Sequence, residues 1–159
     1  MTMLEIRRYQ PADYDEVWKL HVLALQEVGA YLGEGPWDND MRNIEAAYLQ
    51  NRGEFLVGLL DGRIVAMGAL RRTTDERAEI KRMRVHSSVQ GRGYGQIILD
   101  ELERRAVELG YVKLHLDTSV LQIAAQKLYA KNGYREVGRE MKKDLECILY
   151  EKQLEGLSR

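Results

Sequence analysis

Apolar positions change their period several times along this chain, and each change marks an element. Residues 4–9 alternate as a short strand would, and Pro11 with Asp13 and Glu16 supplies the chemistry of a helix start. From there Tyr14, Val17, Trp18, His21, Leu25 and Val28 recur at spacings of three and four, so one helical face is apolar until Gly29 ends it. Residues 30–39 hold Gly33, Gly35 and Pro36 among acids around Trp37 and read as a loop, with a second helix predicted over residues 39–49. Two apolar runs, residues 55–60 and 64–70, flank Asp61-Gly62, which is the signature of a two-residue hairpin. A third strand over residues 77–85 extends that meander.

The second half reads differently. Residues 96–109 place Ile98, Leu102, Ala106 and Leu109 on one helical face, Gly110 stops the helix, and Val112, Leu114 and Leu116 alternate in a strand. A strand, a helix and a strand in succession imply a parallel pair inside an otherwise antiparallel sheet. Another helix over residues 122–131 is closed by Asn132-Gly133, and residues 134–137 with 147–150 form a last antiparallel pair. The expected fold class is α+β, with a mixed, mostly antiparallel central sheet of about seven strands and helices on both faces.

Bulk properties narrow the partners. The 159 residues suit one domain spanning 1–159, large enough to bury roughly two thirds of its unfolded surface. A formal net charge of -1 offers no cationic excess for a nucleic acid backbone, so no such partner is expected. The longest clean apolar run, residues 64–70, is far below the ~20 residues that span a bilayer. Glu5, Arg7 and Arg8 stand where a signal peptide needs its apolar core, so the expectation is a cytoplasmic protein without a membrane partner. Cys147 is the only cysteine, which excludes an internal disulfide, and its apolar surroundings make it a packed strand residue. His21, His86 and His115 lack metal-ligand spacing, and no metal is expected.

The candidate chemistry begins at Gln90-Gly91-Arg92-Gly93-Tyr94-Gly95, between a strand and a helix. Glycines let the backbone turn sharply beside a ligand, and the following helix leaves its first N–H groups unpaired, so the junction suits a phosphate or pyrophosphate. No Lys follows Gly95, which argues against a P-loop. Asp117, ~20 residues past Gly95, stands where a dinucleotide fold would place its ribose-binding acid. That fingerprint lacks its third glycine, since Gln96 or Ile98 takes the place, and residues 86–90 lengthen a turn that should be tight.

Ala78-Glu79-Ile80, then Val85, then the run at 90–95, then Ala125-Gln126-Lys127-Leu128-Tyr129-Ala130-Lys131-Asn132-Gly133-Tyr134 resemble, in this order, the GNAT superfamily of acetyl-CoA-dependent N-acetyltransferases. Gln90, Gly93 and Gly95 fall on fixed positions of that family's pyrophosphate signature, and Ala125, Leu128, Tyr129, Gly133 and Tyr134 on those of its later helix. Clear resemblance covers residues 55–150. It implies acetyl-CoA as cosubstrate, in a wedge where the fourth strand, ending near Val85, splays from the fifth, beginning near Val112. Met83, Arg84 and Val85 would offer backbone groups to the pantetheine arm as an added strand does. Gly91, Arg92, Gly93, Tyr94 and Gly95 would hold the pyrophosphate through their N–H groups, with Arg92, Lys127 and Lys131 near the adenosine phosphates. Gln122 stands where many members carry Asn, keeping both donor and acceptor but adding a methylene.

The resemblance also implies catalytic roles. A lysine-like amine with pKa ~10.4 is uncharged only about once in several thousand at pH 7, so transfer to it needs a proton acceptor. Glu79 matches the general-base glutamate of the histone acetyltransferase branch, and would need a raised pKa or a water relay. Tyr129 would stabilise the departing CoA thiolate, and a backbone N–H near Val85 would receive the thioester oxygen. The acceptor is a primary amine of a small molecule, peptide or protein, attacking directly in a ternary complex. Tyr31, Glu34, Trp37, Asp38 and Asp40 would attract its ammonium by charge and cation–π contact. A homodimer is compatible with the resemblance. The alternative is a non-catalytic acyl-CoA-binding sensor or partner module.

Overall fold

The computed structural model describes residues 3–155. In chain order it runs β1 (Glu5–Arg8), α1 (Tyr14–Glu27), a 3-10 segment at Pro36–Arg42, a π-helical turn at Glu45–Leu49, β2 (Glu54–Leu60), β3 (Arg63–Arg72) and β4 (Arg77–Val85). Then come α2 (Tyr94–Glu108), β5 (Lys113–Ser119), α3 (Ile123–Lys131), β6 (Arg135–Lys142) and β7 (Leu145–Gln153). The sheet order is β1-β2-β3-β4-β5-β7-β6, and β4 with β5 is the parallel pair in an otherwise antiparallel ladder. This is the mixed sheet that the hydrophobic periods imply.

The central strands are covered on both faces, which explains why β2 and β3 read as near-continuous apolar runs. Successive side chains point to opposite faces. Phe55, Val57, Met67 and Ala69 meet Val17, Leu20, Met41 and Tyr48 on the α1 side. Leu56, Ala66, Leu70 and Ile80 meet Ile98, Leu99, Leu102 and Ala106 of α2 on the other. Each fully buried Val, Leu, Ile, Phe or Met side chain among them stabilises the fold by about 1.5–3 kcal/mol. At the β2–β3 turn Asp61 and Gly62 take φ 50° and 79°, the paired positive values that a two-residue hairpin of this kind requires.

Two expectations need correction. Residues 39–49 do not form one α-helix: the 3-10 segment ends at Asn43, with φ -149° and ψ 63°, before the π turn begins. Met41, Ile44 and Tyr48 are nevertheless buried at the spacing of a helical face. What overrides it is the anchoring of Asp38 and Asp40 to groups across the core. The last hairpin is also longer than residues 134–137 and 147–150, because polar residues at its exposed edge hide the alternation.

Candidate active site

β4 and β5 pair over three rungs only, Arg77 with Lys113, Ala78 with Leu114 and Glu79 with His115. Beyond Glu79 they part. Lys81 opposes Ala69 and Arg84 opposes Met67 across β3, so Arg82 and Met83 form a bulge, with Arg82 at φ 59°. A bulge bends its strand, and this one swings the end of β4 away from β5, which stays paired with β7 along its whole length. The wedge connects two cavities, an outer cleft of about 370 Å³ beside the glycine loop and an inner chamber of about 500 Å³.

The outer cleft is built largely from backbone. Gly91 and Gly93 adopt φ 81° and 83°, a region where a side chain costs ~1–2 kcal/mol, so glycine is needed at both. Gly93 caps α2 and its carbonyl accepts the N–H of Ile97 at 3.1 Å. The first N–H groups of α2 have no intrahelical acceptor and lie at the positive end of the helix dipole. Gln90 donates its Nε2 to the Val85 carbonyl at 3.1 Å, tying the loop to the end of β4. The His86 N–H bonds the Val65 carbonyl at 2.8 Å, so ladder alternation turns the backbone groups of Arg84 towards β3 and those of Val85 into the wedge. Of the three residues expected to line the wedge with backbone, Arg84 therefore contributes its side chain instead.

The cavities meet at Met83, Arg84, Gln122, Ala125 and Tyr129, which line both. Tyr129 is 4% exposed and packs edge-on against Tyr134 at 5.6 Å. The hydroxyls of Tyr48, Tyr111 and Tyr134 bond Asp40, the Arg52 carbonyl and Glu103. That of Tyr129 has no such partner among the described residues. Burial raises its pKa, against the lowering charge of Arg84, so the phenol stays protonated. Gln122 stands at the N-cap position of α3 and its Oε1 accepts the Ser119 N–H at 3.2 Å, so it braces the β5–α3 turn while lining both cavities.

The inner chamber is built from side chains. Arg82 grips Asp40 with two bonds, Nη2 to Oδ1 at 2.5 Å and Nε to Oδ2 at 2.9 Å, and Tyr48 donates its hydroxyl to the same carboxylate at 2.5 Å. Burial pushes Asp40 up, but the bonds and charge of Arg82 outweigh it and hold the group at about 2. His21 Nε2 lies 3.0 Å from Asp38 Oδ1, both side chains being buried. Burial, then Arg84 and Arg82, push His21 down to about 2, so it is neutral, while burial raises Asp38. Glu79 lies on the last paired rung with its Oε2 3.7 Å from Lys81 Nζ. Burial lowers the pKa of Lys81.

This corrects the expectation for the loop at 31–40. Asp38 and Asp40 are engaged within the protein, and the Trp37 ring is already covered by Lys143 Nζ, 4.4 Å from its centroid. Arg92 and Lys127 are exposed and lie outside the lining of the outer cleft, whereas Lys131 belongs to it. Cys147 is buried against the chamber, and burial raises its thiol pKa, which leaves it protonated. The sequence reading missed the Arg82–Asp40–Tyr48 cluster and the side chain of Arg84. The available signal was the run Lys81-Arg82-Met83-Arg84, whose basic residues break the apolar alternation of a strand deep in the sheet. Among the described residues no group of three or more His, Cys, Asp or Glu is placed to hold a metal ion. No helix among them is long and apolar enough to cross a membrane.

The family model for the Acetyltransferase (GNAT) family matches residues 14–134. N-acetylaspartate synthetase of Homo sapiens is 34% identical over 113 residues, which cover 70% of this chain and 37% of that protein. The protein of the same name from Danio rerio is 37% identical over 105 residues, covering 62% and 36%. The chain thus spans little more than a third of the length of these relatives. Among solved structures, an acetyltransferase of the GNAT family from Staphylococcus aureus Mu50 superposes with TM-score 0.88 at 23% identity, over 96% of this chain and 100% of that one. The yncA protein of Salmonella typhimurium, solved with its cofactor acetyl-CoA, gives TM-score 0.79 at 20% identity over 98% and 96%. The sheet with its one parallel rung set is the fold of these structures, the family model covers most of the chain, and the chain belongs to the GNAT family of acetyltransferases.

Proposed function

We propose that this chain is an acetyl-CoA-dependent N-acetyltransferase that passes the acetyl group to a primary amine by direct attack in a ternary complex. The observation that carries this reading is the meeting of the two cavities at Tyr129: one ends at a helix N-terminus suited to phosphate, the other is the more polar of the two. The family supports the reaction class, and the acetyl-CoA in the yncA structure supports the cosubstrate. Similarity to proteins named N-acetylaspartate synthetase puts amino acids first among the acceptors to test.

The loop from Gly91 to Gly95 and the first turn of α2 hold the pyrophosphate by N–H groups and dipole. Met83 and Val85 offer backbone bonds to the amide-rich arm, and the Val85 N–H polarises the thioester carbonyl. The amine nitrogen attacks that carbon from the inner chamber, and the carbon–sulfur bond breaks. Tyr129 donates its hydroxyl to the sulfur as thiolate charge develops. Glu79 takes the amine proton, directly or through water, once the C–N bond has formed and the nitrogen has become far more acidic than a free alkylammonium, and that proton is then passed to the departing thiolate. The products are the acetamide and free CoA thiol.

A thermal-shift comparison of acetyl-CoA, longer acyl-CoAs and NAD, followed by thiol release with pooled amines, tests the reading. Stabilisation by acetyl-CoA and amine-dependent thiol are expected. No stabilisation by any acyl-CoA overturns it, and stabilisation without turnover on a broad amine panel assigns the fold to a sensor instead.

A further inference from the structure

Charges in the inner chamber do not balance. Five fixed cations and four carboxylates line it, and three of the cations are matched: Arg82 with Asp40, Lys142 with Asp117 at 2.8 Å, and Lys81 with Glu79 at 3.7 Å. The fourth carboxylate, Asp38, is held by His21. Arg71 and Arg84 remain, and among the described residues neither has a carboxylate within 4.0 Å. Arg84 bonds only the Met83 carbonyl, from Nη1 at 2.9 Å, and its Nε is buried without a partner. Its burial, and the nearby Arg82, depress its pKa to about 10, the signature of a cation lacking compensation.

A desolvated guanidinium left unpaired destabilises a fold, whereas a planar carboxylate satisfies two of its donors at once. The site itself says where that carboxylate comes from. Phosphates belong at the far end of the outer cleft, beside Gly91 and Gly93, and both the pantetheine arm and the acetyl group are neutral. Arg84 stands at the junction with Tyr129, so its anion arrives with the acceptor, close to the reacting amine. Arg71, the cross-strand neighbour of Glu79, lines the chamber at the rung where the wedge closes.

We infer that the acceptor is an acidic amino acid, with Arg84 binding the α-carboxylate beside the attacking amine and Arg71 the side-chain carboxylate. This rests on the transferase reading above. Both arginines are positioning residues for the acceptor. Asp38 and Asp40 of the loop at 31–40 are already engaged, with His21 and with Arg82 and Tyr48.

The experiment compares kcat/KM for L-aspartate, its α-amide, its side-chain amide L-asparagine, and spermidine, in wild type, Arg84→Met and Arg71→Met. Aspartate is expected to exceed its α-amide by about 100-fold in wild type and by less than about 5-fold in Arg84→Met. Arg71→Met should collapse the preference for aspartate over asparagine while keeping that over the α-amide. Ratios within each variant cancel any general loss of activity. Equal use of the amide or of spermidine by wild type, with good turnover, overturns the inference and leaves the transferase reading intact, as does an unchanged ratio in Arg84→Met. If no amine is turned over the transferase reading fails, and melting of the CoA-loaded protein decides whether a carboxylate site exists: stabilisation by millimolar aspartate that Arg84→Met abolishes sustains it, and no stabilisation removes it.

Discussion

The two cavities that meet at Tyr129 are made of different material. The outer cleft is a matter of backbone: positive φ at Gly91 and Gly93, a helix N-terminus, and a strand edge freed by a bulge. The inner chamber is a matter of side chains brought from distant segments, such as Asp40 and Arg82, 42 residues apart, fastened by buried ion pairs. A backbone-built site accepts any ligand with the right phosphates and amides. A side-chain-built site is specific to the charges it leaves unmatched. This difference explains how one fold can keep its cosubstrate while its acceptor varies.

The sharpest way to break the chamber, and the largest expected effect, is Asp40→Ala. It strands the Arg82 guanidinium and the Tyr48 hydroxyl in the core, where removing one partner of a buried pair destabilises by about 3–5 kcal/mol. Urea unfolding should show a lower midpoint with an unchanged slope. A loss under about 1 kcal/mol would mean that the network does not hold the chamber. The next effect lies at the junction. Tyr129→Phe should slow turnover about 100-fold, equivalent to about 2.7 kcal/mol of transition-state stabilisation, with acetyl-CoA affinity hardly changed. An unchanged rate removes Tyr129 from the mechanism.

How much of this was legible follows from the same contrast. Gln90, Gly93, Gly95 and Tyr129, which line the outer cleft, could be picked out from the chain because they fall in motifs of short local spacing, with Gly93 at a turn where φ must be positive and Tyr129 on a given helix face. The β2–β3–β4 meander and the parallel pair were legible for a similar reason, since periods and turn residues act over short distances, whereas the places of β1 beside β2 and of β7 between β5 and β6 were not. Arg84 was expected to serve through its backbone, and its side chain became visible only when the β4 ladder was known. The Asp40–Arg82 pair is a tertiary contact that no local pattern encodes, and it unmade the helix predicted over residues 39–49. Lys127 and Lys131 are four apart on α3, yet only Lys131 lines the cleft, a choice set by how the helix is rotated on the sheet.

A smaller effect tests whether the chamber stays neutral at His21. The folded protein holds this imidazole at about 2, against 6.5 as its ordinary value, because it is buried among Arg84, Arg82 and Lys81, with Asp40 opposing. Below pH 6.5 the unfolded chain therefore binds a proton that the folded chain refuses, and stability falls as pH drops. One proton corresponds to about 1.4 kcal/mol per pH unit. The slope should appear as pH falls below 6.5, and at lower pH the raised Asp38 opposes it, because it takes up its proton in the folded protein before it does in the unfolded chain. His21→Gln should flatten that window relative to wild type, even if its own stability is lower. Equal slopes in the two proteins would show that His21 takes up its proton while folded.

The last comparison lies inside the outer cleft, between two of its glycines. At Gly93 a Cβ would meet nothing within 4 Å, but φ is 83°, so Gly93→Ala adds only backbone strain and should lower stability by about 1 kcal/mol. Gly95 lies in the first turn of α2, where a Cβ would touch Leu128 at 3.5 Å and Val85 at 3.7 Å, ordinary contacts that need no rearrangement. Gly95→Ala should therefore be neutral or stabilising by a few tenths of a kcal/mol, since alanine is the better helix former. If acetyl-CoA affinity nevertheless drops in Gly95→Ala, measured by calorimetry on both variants, the absent side chain there serves the approach of the ligand. If affinity falls only in Gly93→Ala, the glycine pattern is a folding requirement that the ligand merely uses.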